Sequence, residues 1–274
     1  MSDGSFIVWG LIIGIIAYIS LYVGKGLQKL GIEGLKEDKT VKSKNSGVWI
    51  FGTVLTTIYM FIQWAALLFA PINLIAPLEG IGLIILLIFS YKVLKENITR
   101  IEVIGVILII VGTVFITLFN QNTGTIINDD VNLGYFLMFL IPILIVEAIA
   151  MIITHFNGYR FAGLILGFTA GTCMAFQTAS KRITAVPDPT LTGIFTFVSL
   201  IMAGLTLGVT QYGLAKAKAN IVVPCFTSAS ITIAIITGIV ALNETIVLWQ
   251  IIGIVVIVLG IIFLTAFKED GAID

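Results

Sequence analysis

Histidine, cysteine and charged residues are all scarce in this sequence. The 274-residue chain has one histidine, His155, and two cysteines, Cys173 and Cys225, which lie inside apolar stretches. A His/Cys zinc cluster is therefore excluded, and the cysteines are interpreted as buried packing residues, with a disulfide between them left open. Because no nucleophile–base pair and no phosphate-binding loop is present, we predict neither an enzyme nor a bound cofactor.

The low charge content points to a membrane protein. Charged residues make up 11% of the chain and hydrophobic residues 58%, whereas soluble domains have about 25% charged residues. Lipid must therefore be the main solvent, which predicts a multi-pass protein of the cell membrane. The net charge is zero and basic residues form no run interleaved with aromatics, so no nucleic-acid partner is predicted. Assembly into a homodimer stays open.

Long apolar segments predict an all-α fold of nine transmembrane helices. A spanning helix needs about 20 predominantly apolar residues. The first segment lacks the basic start of a signal peptide and is too long for one, so it is interpreted as a span. The polar stretch 31–46 is predicted to be a solvated loop. The predicted spans are 5–29, 47–69, 71–93, 99–120, 133–155, 159–183, 190–215, 218–241 and 247–267.

The distribution of lysine and arginine predicts the orientation. Thirteen of the 15 basic residues fall on one side of the predicted spans, and only Lys181 and Arg182 fall on the other. Cytoplasmic loops are enriched in Lys and Arg, so the N-terminus is predicted outside and the C-terminus in the cytoplasm. Lys25, near the inner end of helix one, is expected to extend its ammonium towards the membrane surface.

Four consecutive helices recur later in the chain. N-L-I-A-P from Asn73 is matched by N-I-V-V-P from Asn220, and Gln63-Trp64 by Gln211-Tyr212. Gly10 and Gly14 in helix one are matched by Gly163 and Gly167 in helix six, and Gly105 and Gly112 in helix four by Gly253 and Gly260 in helix nine. We interpret these glycines as helix-packing surfaces.

Five spans separate each matched pair, so the second copy is predicted to cross the membrane in the opposite direction. This organisation gives a first transmembrane repeat at 1–120 (helices one to four), an outer loop and linking helix five at 121–157, and a second repeat at 158–274 (helices six to nine). Inverted repeats are typical of transporters that work by alternating access, with a binding site near the midplane between the halves.

Several of these stretches resemble a known family. The run F-A-P-I-N-L-I-A-P-L-E-G, the turn Y-K-V-L-K-E-N-I-T and the glycines of helix four resemble the drug/metabolite transporter superfamily, including its EamA-like exporters. Nine spans, an outer N-terminus and G-K-G-L-Q-K-L-G at residues 24–31 are most similar to its NIPA-type branch of magnesium transporters. The resemblance implies a small cation, above all Mg²⁺, as the transported substrate. It also implies a small or apolar residue where this chain has Glu79.

Two carboxylates, Glu79 and Glu147, are predicted to lie at membrane depth. Ionisable groups there are costly, by about 2.5–3.5 kcal/mol on insertion scales, and usually mark a functional site. Pro77 and Pro142 precede them, and each proline frees a backbone carbonyl one turn earlier. Carboxylate and carbonyl oxygens suit Mg²⁺, so both residues are predicted metal ligands for a transported cation. Packing as protonated acids, or proton transport, are the alternatives.

Other polar residues and prolines complete the predicted site. The amides could contact substrate or simply join helices by hydrogen bonds: Gln63, Asn73, Gln177, Gln211 and Asn220. Pro77 and Pro224 are interpreted either as paired hinges or as static kinks. Glu96 and Glu244, which precede helices four and nine, are expected to interact with the positive ends of those helices.

Two functions therefore remain open at the sequence level. The first is a secondary transporter that moves a small cation, with Mg²⁺ favoured, past Glu79 and Glu147. The second is a proton-coupled exporter of a small metabolite or organic cation, with Glu79 as the proton carrier.

Overall fold

The described part of the chain is helical from end to end. The computed structural model describes residues 3–37, 42–95, 99–119, 126, 130–156, 158–159 and 161–266, and no strand occurs among them. Ten α-helices follow one another: α1 (Asp3–Glu37), α2 (Lys42–Phe69), α3 (Ile72–Ile75), α4 (Glu79–Phe89), α5 (Arg100–Leu118), α6 (Leu133–Phe156), α7 (Ala162–Ile183), α8 (Pro189–Lys216), α9 (Ala219–Leu242) and α10 (Leu248–Ala266).

These helices confirm the prediction of an all-α membrane protein. Within the described residues, seven helical segments are long and apolar enough to cross a membrane, and the segment 72–94 that contains α3 and α4 counts as one of them. The predicted fourth and ninth spans form α5 and α10, of 19 residues each. Their apolar segments, Val103–Leu118 and Leu248–Gly260, are shorter than a full span. The count of nine spans therefore stays a prediction.

The prediction of a loop at residues 31–46 is wrong, because the described residues of this stretch, 31–37 and 42–46, are helical. Helix α1 continues to Glu37 and α2 begins at Lys42, so the two helices extend beyond the apolar region as a hairpin. The physical reason is close packing: a Cβ on Gly31 would lie 2.7 Å from the Trp49 Cβ, and a Cβ on Gly34 would lie 2.6 Å from the Asn45 amide carbon. Glycine thus allows the polar ends of both helices to remain in contact.

The third predicted span is a discontinuous helix. Helix α3 ends at Ile75, a 3₁₀ turn covers Ala76–Leu78, and α4 begins at Glu79. The turn contains Pro77, whose missing N–H and ring are incompatible with a continuous α-helix. A π-helical turn, Ser90–Leu94, follows α4. The matched Pro224 behaves differently, because α9 continues through it as one α-helix.

Helices α5 and α10 cross at their glycines. A Cβ on Gly112 would lie 2.5 Å from the Gly253 carbonyl oxygen, and a Cβ on Gly260 would lie 2.7 Å from the Gly105 oxygen. The order of the contacts shows that the helices run antiparallel. The four glycines predicted to be packing surfaces are therefore the residues through which these backbones approach each other.

The centre of the bundle is formed by the discontinuous third span, α7 and α9. In each of these segments, between 75 and 83% of the most apolar 18-residue stretch is buried, against 17% in α6 and in α8. Gly167 of α7 packs against the Val222 carbonyl oxygen of α9, where a Cβ would lie only 2.5 Å away. Helices α6 and α8 therefore lie at the periphery, and the break before Glu79 lies in the protein interior.

Candidate functional site

Glu79 lies at the helix break and is enclosed by hydroxyl groups of two other helices. Its side chain is 1% exposed. Tyr22 of α1 donates to Oε1 at 3.4 Å, and Ser230 of α9 donates to Oε2. The Tyr22 hydroxyl is also hydrogen-bonded to Thr227. Because Glu79 is the first residue of α4, the carboxylate also lies at the positive end of that helix.

Glycine makes the contact between α1 and α4 possible. Gly82, one turn after Glu79, packs directly against the Tyr22 ring, and a Cβ at this position would overlap that ring. Because Gly82 has no side chain, the Tyr22 ring can pack against α4, and this contact holds the Tyr22 hydroxyl next to the Glu79 carboxylate. Glu79 therefore faces the bundle interior and not the lipid.

A second polar cluster joins α1, α2 and α7 around Gln63. The amide nitrogen of Gln63 donates to Tyr18 Oη at 3.0 Å and to Thr178 Oγ1 at 3.2 Å. Its amide oxygen accepts from Lys181 Nζ at 2.7 Å. All three polar partners are buried. Gln63 therefore joins helices by hydrogen bonds, which is one of the two roles that the sequence left open for it. It also accepts a hydrogen bond from the buried Lys181 ammonium.

A cavity of about 230 Å³ lies between α1, α2, α7, α8 and α9. Apolar side chains such as Met60, Leu207 and Phe226 form much of its wall. Among the described residues that line it there is no carboxylate, and its basic group is Lys25. The polar lining residues include Lys25, Gln28, Thr56, Gln177, Thr206 and Thr210.

Lys25 does not reach the membrane surface, so that prediction is wrong. Its side chain is 3% exposed. The ammonium lies 2.9 Å from the centroid of the Phe226 ring and 5.2 Å from that of Tyr22. Aromatic faces and the cavity retain the ammonium inside the bundle, because a cation is attracted to the negative face of a ring. Tyr22 is also the residue whose hydroxyl donates to Glu79, so the ammonium and the carboxylate have a neighbour in common.

Arg182, at the C-terminal end of α7, and Glu244, in the loop after α9, contact the ends of other helices. Arg182 donates to the Leu67 carbonyl oxygen in the last turn of α2 at 2.9 Å. The Glu244 carboxylate accepts from the backbone N–H groups of Ile72 and Asn73, at 3.1 and 3.2 Å. Burial raises the pKa of Glu244, while Arg182 and those two N–H groups act in the opposite direction.

The expected helix-end role of Glu244 is thus found at a different helix. Its carboxylate caps α3, not the α10 helix that follows it in sequence, because the loop after α9 folds back over the start of the third span. Glu96, its predicted counterpart, lies outside the described residues.

Glu147 lies at a different helix interface. It belongs to α6, and its Oε1 accepts from Thr172 of α7 at 2.6 Å. The side chain is 7% exposed, and Oε2 has no hydrogen-bond partner in the described structure. In the described structure, the hydrogen-bond partners of Glu79 lie on α1 and α9 and that of Glu147 lies on α7, so the two predicted metal ligands have no partner in common.

The other predicted site residues are distributed around the bundle. Asn73 is fully buried, and neither side-chain polar atom finds a partner among the described residues. Gln177 lines the cavity. The Gln211 oxygen accepts from Trp49 Nε1 at 2.9 Å, across the α2–α8 interface. The Asn220 backbone lies in the first turn of α9, but its side chain lies outside the described part of the structure.

Comparison with known proteins identifies the family. The family model described as magnesium transporter NIPA matches residues 7–270, which include the discontinuous helix, the cavity and all the clusters above. This chain belongs to the NIPA magnesium transporter family. It is therefore a multi-pass membrane protein of a transporter family, as the resemblance in the sequence predicted.

One curated NIPA relative allows a more detailed comparison. The chain is 24% identical over 192 residues to NIPA-like protein 2 of Mus musculus, and the match covers 68% of this chain and 50% of the mouse protein. The chain thus spans about half the length of the curated relative it matches. No solved structure is significantly similar to it.

Sequence reasoning missed several residues of this NIPA-family site. Tyr22 and Ser230, which bind Glu79, and Lys181, which binds Gln63, were not singled out for these roles. The run T-S-A-S-I-T in α9 was an available signal, since adjacent hydroxyls in an apolar span usually face polar groups. Lys181 and Arg182 were counted as outer-side charges, although both are buried.

Proposed function

We propose that this chain is a secondary transporter that moves a small cation, with Mg²⁺ favoured, by alternating access, and that Glu79 is its principal cation ligand. The main support is the position of Glu79: a fully buried carboxylate at a helix break, contacted by hydroxyls of α1 and α9. Membership of the NIPA family supports Mg²⁺ as the substrate.

The chemistry around Glu79 fits a hard cation. Carboxylate and hydroxyl oxygens are the ligands that Mg²⁺ prefers, and Mg²⁺ usually keeps several of its waters. In the described part of the chain, no three His, Cys, Asp or Glu side chains lie close enough together to hold a metal ion jointly. A partly hydrated ion held by one carboxylate suits a transporter, because an ion bound too tightly would not be released.

Glu147 is proposed as a second, separate carboxylate on the permeation path. Support comes from its burial and from Oε2, which accepts no hydrogen bond in the described structure. The two carboxylates would act at successive positions, since they contact different helices. Unchanged uptake in Glu147→Gln would remove this residue from the proposal.

Alternating access is proposed on the basis of the inverted repeat, with the three regions 1–120, 121–157 and 158–274. The Gly112–Gly253 contact becomes the Gly260–Gly105 contact when the matched helices are exchanged. Lys95 and Asn243, which directly precede the matched Glu96 and Glu244, both end their helices in the left-handed conformation, at φ 56° and 52°. These local equivalences support two oppositely oriented halves.

In both halves, a basic side chain near the end of the first helix donates to backbone carbonyl oxygens at the end of the other half's second helix. Lys29 donates to the Leu214 and Ala217 carbonyl oxygens at the end of α8, at 3.1 and 2.9 Å. Arg182 donates to a carbonyl oxygen in the last turn of α2. In the proposed orientation these contacts lie at the inner and outer ends of the bundle, where access must close in turn. Pro77, in the 3₁₀ turn, is the better-supported hinge, because Pro224 lies inside a continuous helix.

Reconstituted vesicles test the transport proposal. We expect wild-type protein in liposomes that enclose a Mg²⁺-sensitive dye to take up Mg²⁺ under an inside-negative potential, and Glu79→Gln to abolish this uptake. Glu33→Gln is the matched control, because Glu33 is a partly exposed carboxylate on α1 that pairs with Lys29. Uptake by Glu79→Gln at the wild-type rate would overturn the assignment.

The alternative is a proton-coupled exporter of a small metabolite or organic cation. The specific observation in its favour is the cavity, which is largely apolar and whose described lining contains a lysine but no carboxylate. In that case Glu79 would bind the coupled proton from one side of the membrane and release it to the other. Efflux of an organic solute driven by a proton gradient, without Mg²⁺ movement, would decide for this function.

A further inference from the structure

The Lys25 ammonium is a buried charge without a hydrogen bond. Lys25 is 3% exposed, and within the described structure its Nζ has no hydrogen-bond partner. It lies against the Phe226 ring and close to the Tyr22 ring. An ammonium has three donors, and leaving all of them unused in a protein interior is costly even over an aromatic face. A purely structural role is better filled by an apolar side chain.

Another lysine on the same helix illustrates the difference. Lys29, one turn later, is also buried, but its Nζ donates to two carbonyl oxygens of α8 and pairs with Glu33 at 3.2 Å. Lys29 is therefore fixed by direct partners. Among the described residues, the Lys25 ammonium contacts the Phe226 and Tyr22 rings but no hydrogen-bond acceptor, and it borders the cavity.

Lys25 and Glu79 both lie against Tyr22. Tyr22 donates to the Glu79 carboxylate, and Lys25 lies over the ring of the same tyrosine. Tyr22 thus links the two groups: its hydroxyl donates to the carboxylate and its ring lies beside an ammonium that makes no hydrogen bond in the described structure. Lys25 and Phe226 also line the cavity, so open space adjoins the ammonium.

We propose that Lys25 is the internal counter-cation of Glu79: it neutralises the carboxylate in the empty transporter and turns into the cavity when a transported cation replaces it. This inference rests on the proposed function. When the transporter is empty, the two charges sum to zero and the core can rearrange with little electrostatic cost. When Mg²⁺ binds, repulsion displaces the ammonium towards the space bounded by Gln28, Gln177 and Thr210.

If Lys25 has this role, the Lys25→Met substitution should affect net Mg²⁺ uptake and Mg²⁺ exchange differently. Net uptake requires the empty protein to return, and without Lys25 it returns with an unpaired buried carboxylate. We therefore expect net Mg²⁺ uptake into Mg²⁺-free vesicles to fall about tenfold or more. Exchange of labelled for unlabelled Mg²⁺ does not require the empty protein to change conformation, so we expect it to stay near the wild-type rate. The KM for Mg²⁺ should fall several-fold, because its competitor is gone.

The experiment measures net uptake, exchange and KM in the same vesicles for wild type, Lys25→Met, Lys25→Arg and Lys29→Met. Lys25→Arg keeps the charge and should retain part of the net uptake. Lys29→Met removes a fixed lysine and should lower both fluxes by the same factor. Net uptake and KM at wild-type values in Lys25→Met would overturn the proposal.

A double variant covers the case in which Lys25→Met loses both fluxes. If the pair exists, Lys25→Met/Glu79→Gln is charge-balanced and should melt at a higher temperature than Lys25→Met alone. A double variant no more stable than the single one would overturn the counter-cation role. This measurement needs no transport, so it separates failure of the pair from failure of the proposed function, which would appear as absent Mg²⁺ uptake by the wild type.

Discussion

The hydroxyl groups at Glu79 explain how a carboxylate is tolerated so deep in an apolar bundle. Tyr22 and Ser230 each supply an O–H to one carboxylate oxygen, and Lys25 supplies a compensating charge nearby. A buried charge is stable only when it is paired or hydrogen-bonded. The same hydroxyls can rotate to offer their oxygens to a cation, because a Ser or Tyr O–H both donates and accepts.

Serine substitutions in α9 test this arrangement at the residue scale. Ser230→Ala removes a donor to Glu79, whereas Ser228→Ala removes a buried hydroxyl with no partner in the described structure. We expect Ser230→Ala to raise the KM for Mg²⁺ by about three- to tenfold, which corresponds to the net value of one typical hydrogen bond, about 0.6–1.4 kcal/mol. Ser228→Ala should leave KM within about twofold. Equal effects of the two variants on vesicle uptake would contradict the role of Ser230.

Glycine contacts and helix ends determine the architecture at the scale of elements. Helices α5 and α10 meet through backbone atoms at two symmetric points. The start of the third span depends on a carboxylate from the loop after α9. Neither contact requires a large side chain, which is why composition alone reveals little about them.

The α5–α10 crossing predicts matched effects of two substitutions. Gly112→Ala and Gly260→Ala each place a Cβ against a facing carbonyl oxygen, at 2.5 and 2.7 Å. We expect each to destabilise the protein by about 1–3 kcal/mol, the usual cost of overpacking. Gly193→Ala is the control, because nothing lies within 4 Å of its added Cβ. Thermal unfolding in detergent measures all three, and a Gly112→Ala protein as stable as the control would contradict the crossing.

The Glu244 cap makes a prediction about the start of the third span. Glu244→Gln leaves a weaker acceptor for the Ile72 and Asn73 amides and removes the charge that interacts with Arg182. Hydrogen exchange of a peptide covering residues 70–78 should therefore become faster. A peptide from α10 serves as the internal control and should be unchanged. If exchange at 70–78 is also unchanged, Glu244 does not hold this end of the bundle.

For the whole molecule, the sequence was sufficient for the class of protein and for the interior position of Glu79. Apolar segment length predicts the helices, and the glycine spacing predicts the α5–α10 contact surface. Sequence did not predict the burial of Lys25, Lys181 and Arg182, because helix position relative to the membrane does not show which polar groups face one another inside. Nor did it reveal that Glu244 caps a helix distant in sequence.

The account as a whole depends on Glu79 being the group that binds the transported cation. Calorimetric titration of Mg²⁺ into protein in lipid nanodiscs measures this without assuming direction, coupling or orientation. We predict saturable binding to the wild type and to Glu33→Gln, and loss of that binding in Glu79→Gln. Binding of Mg²⁺ to Glu79→Gln with wild-type affinity would contradict the account.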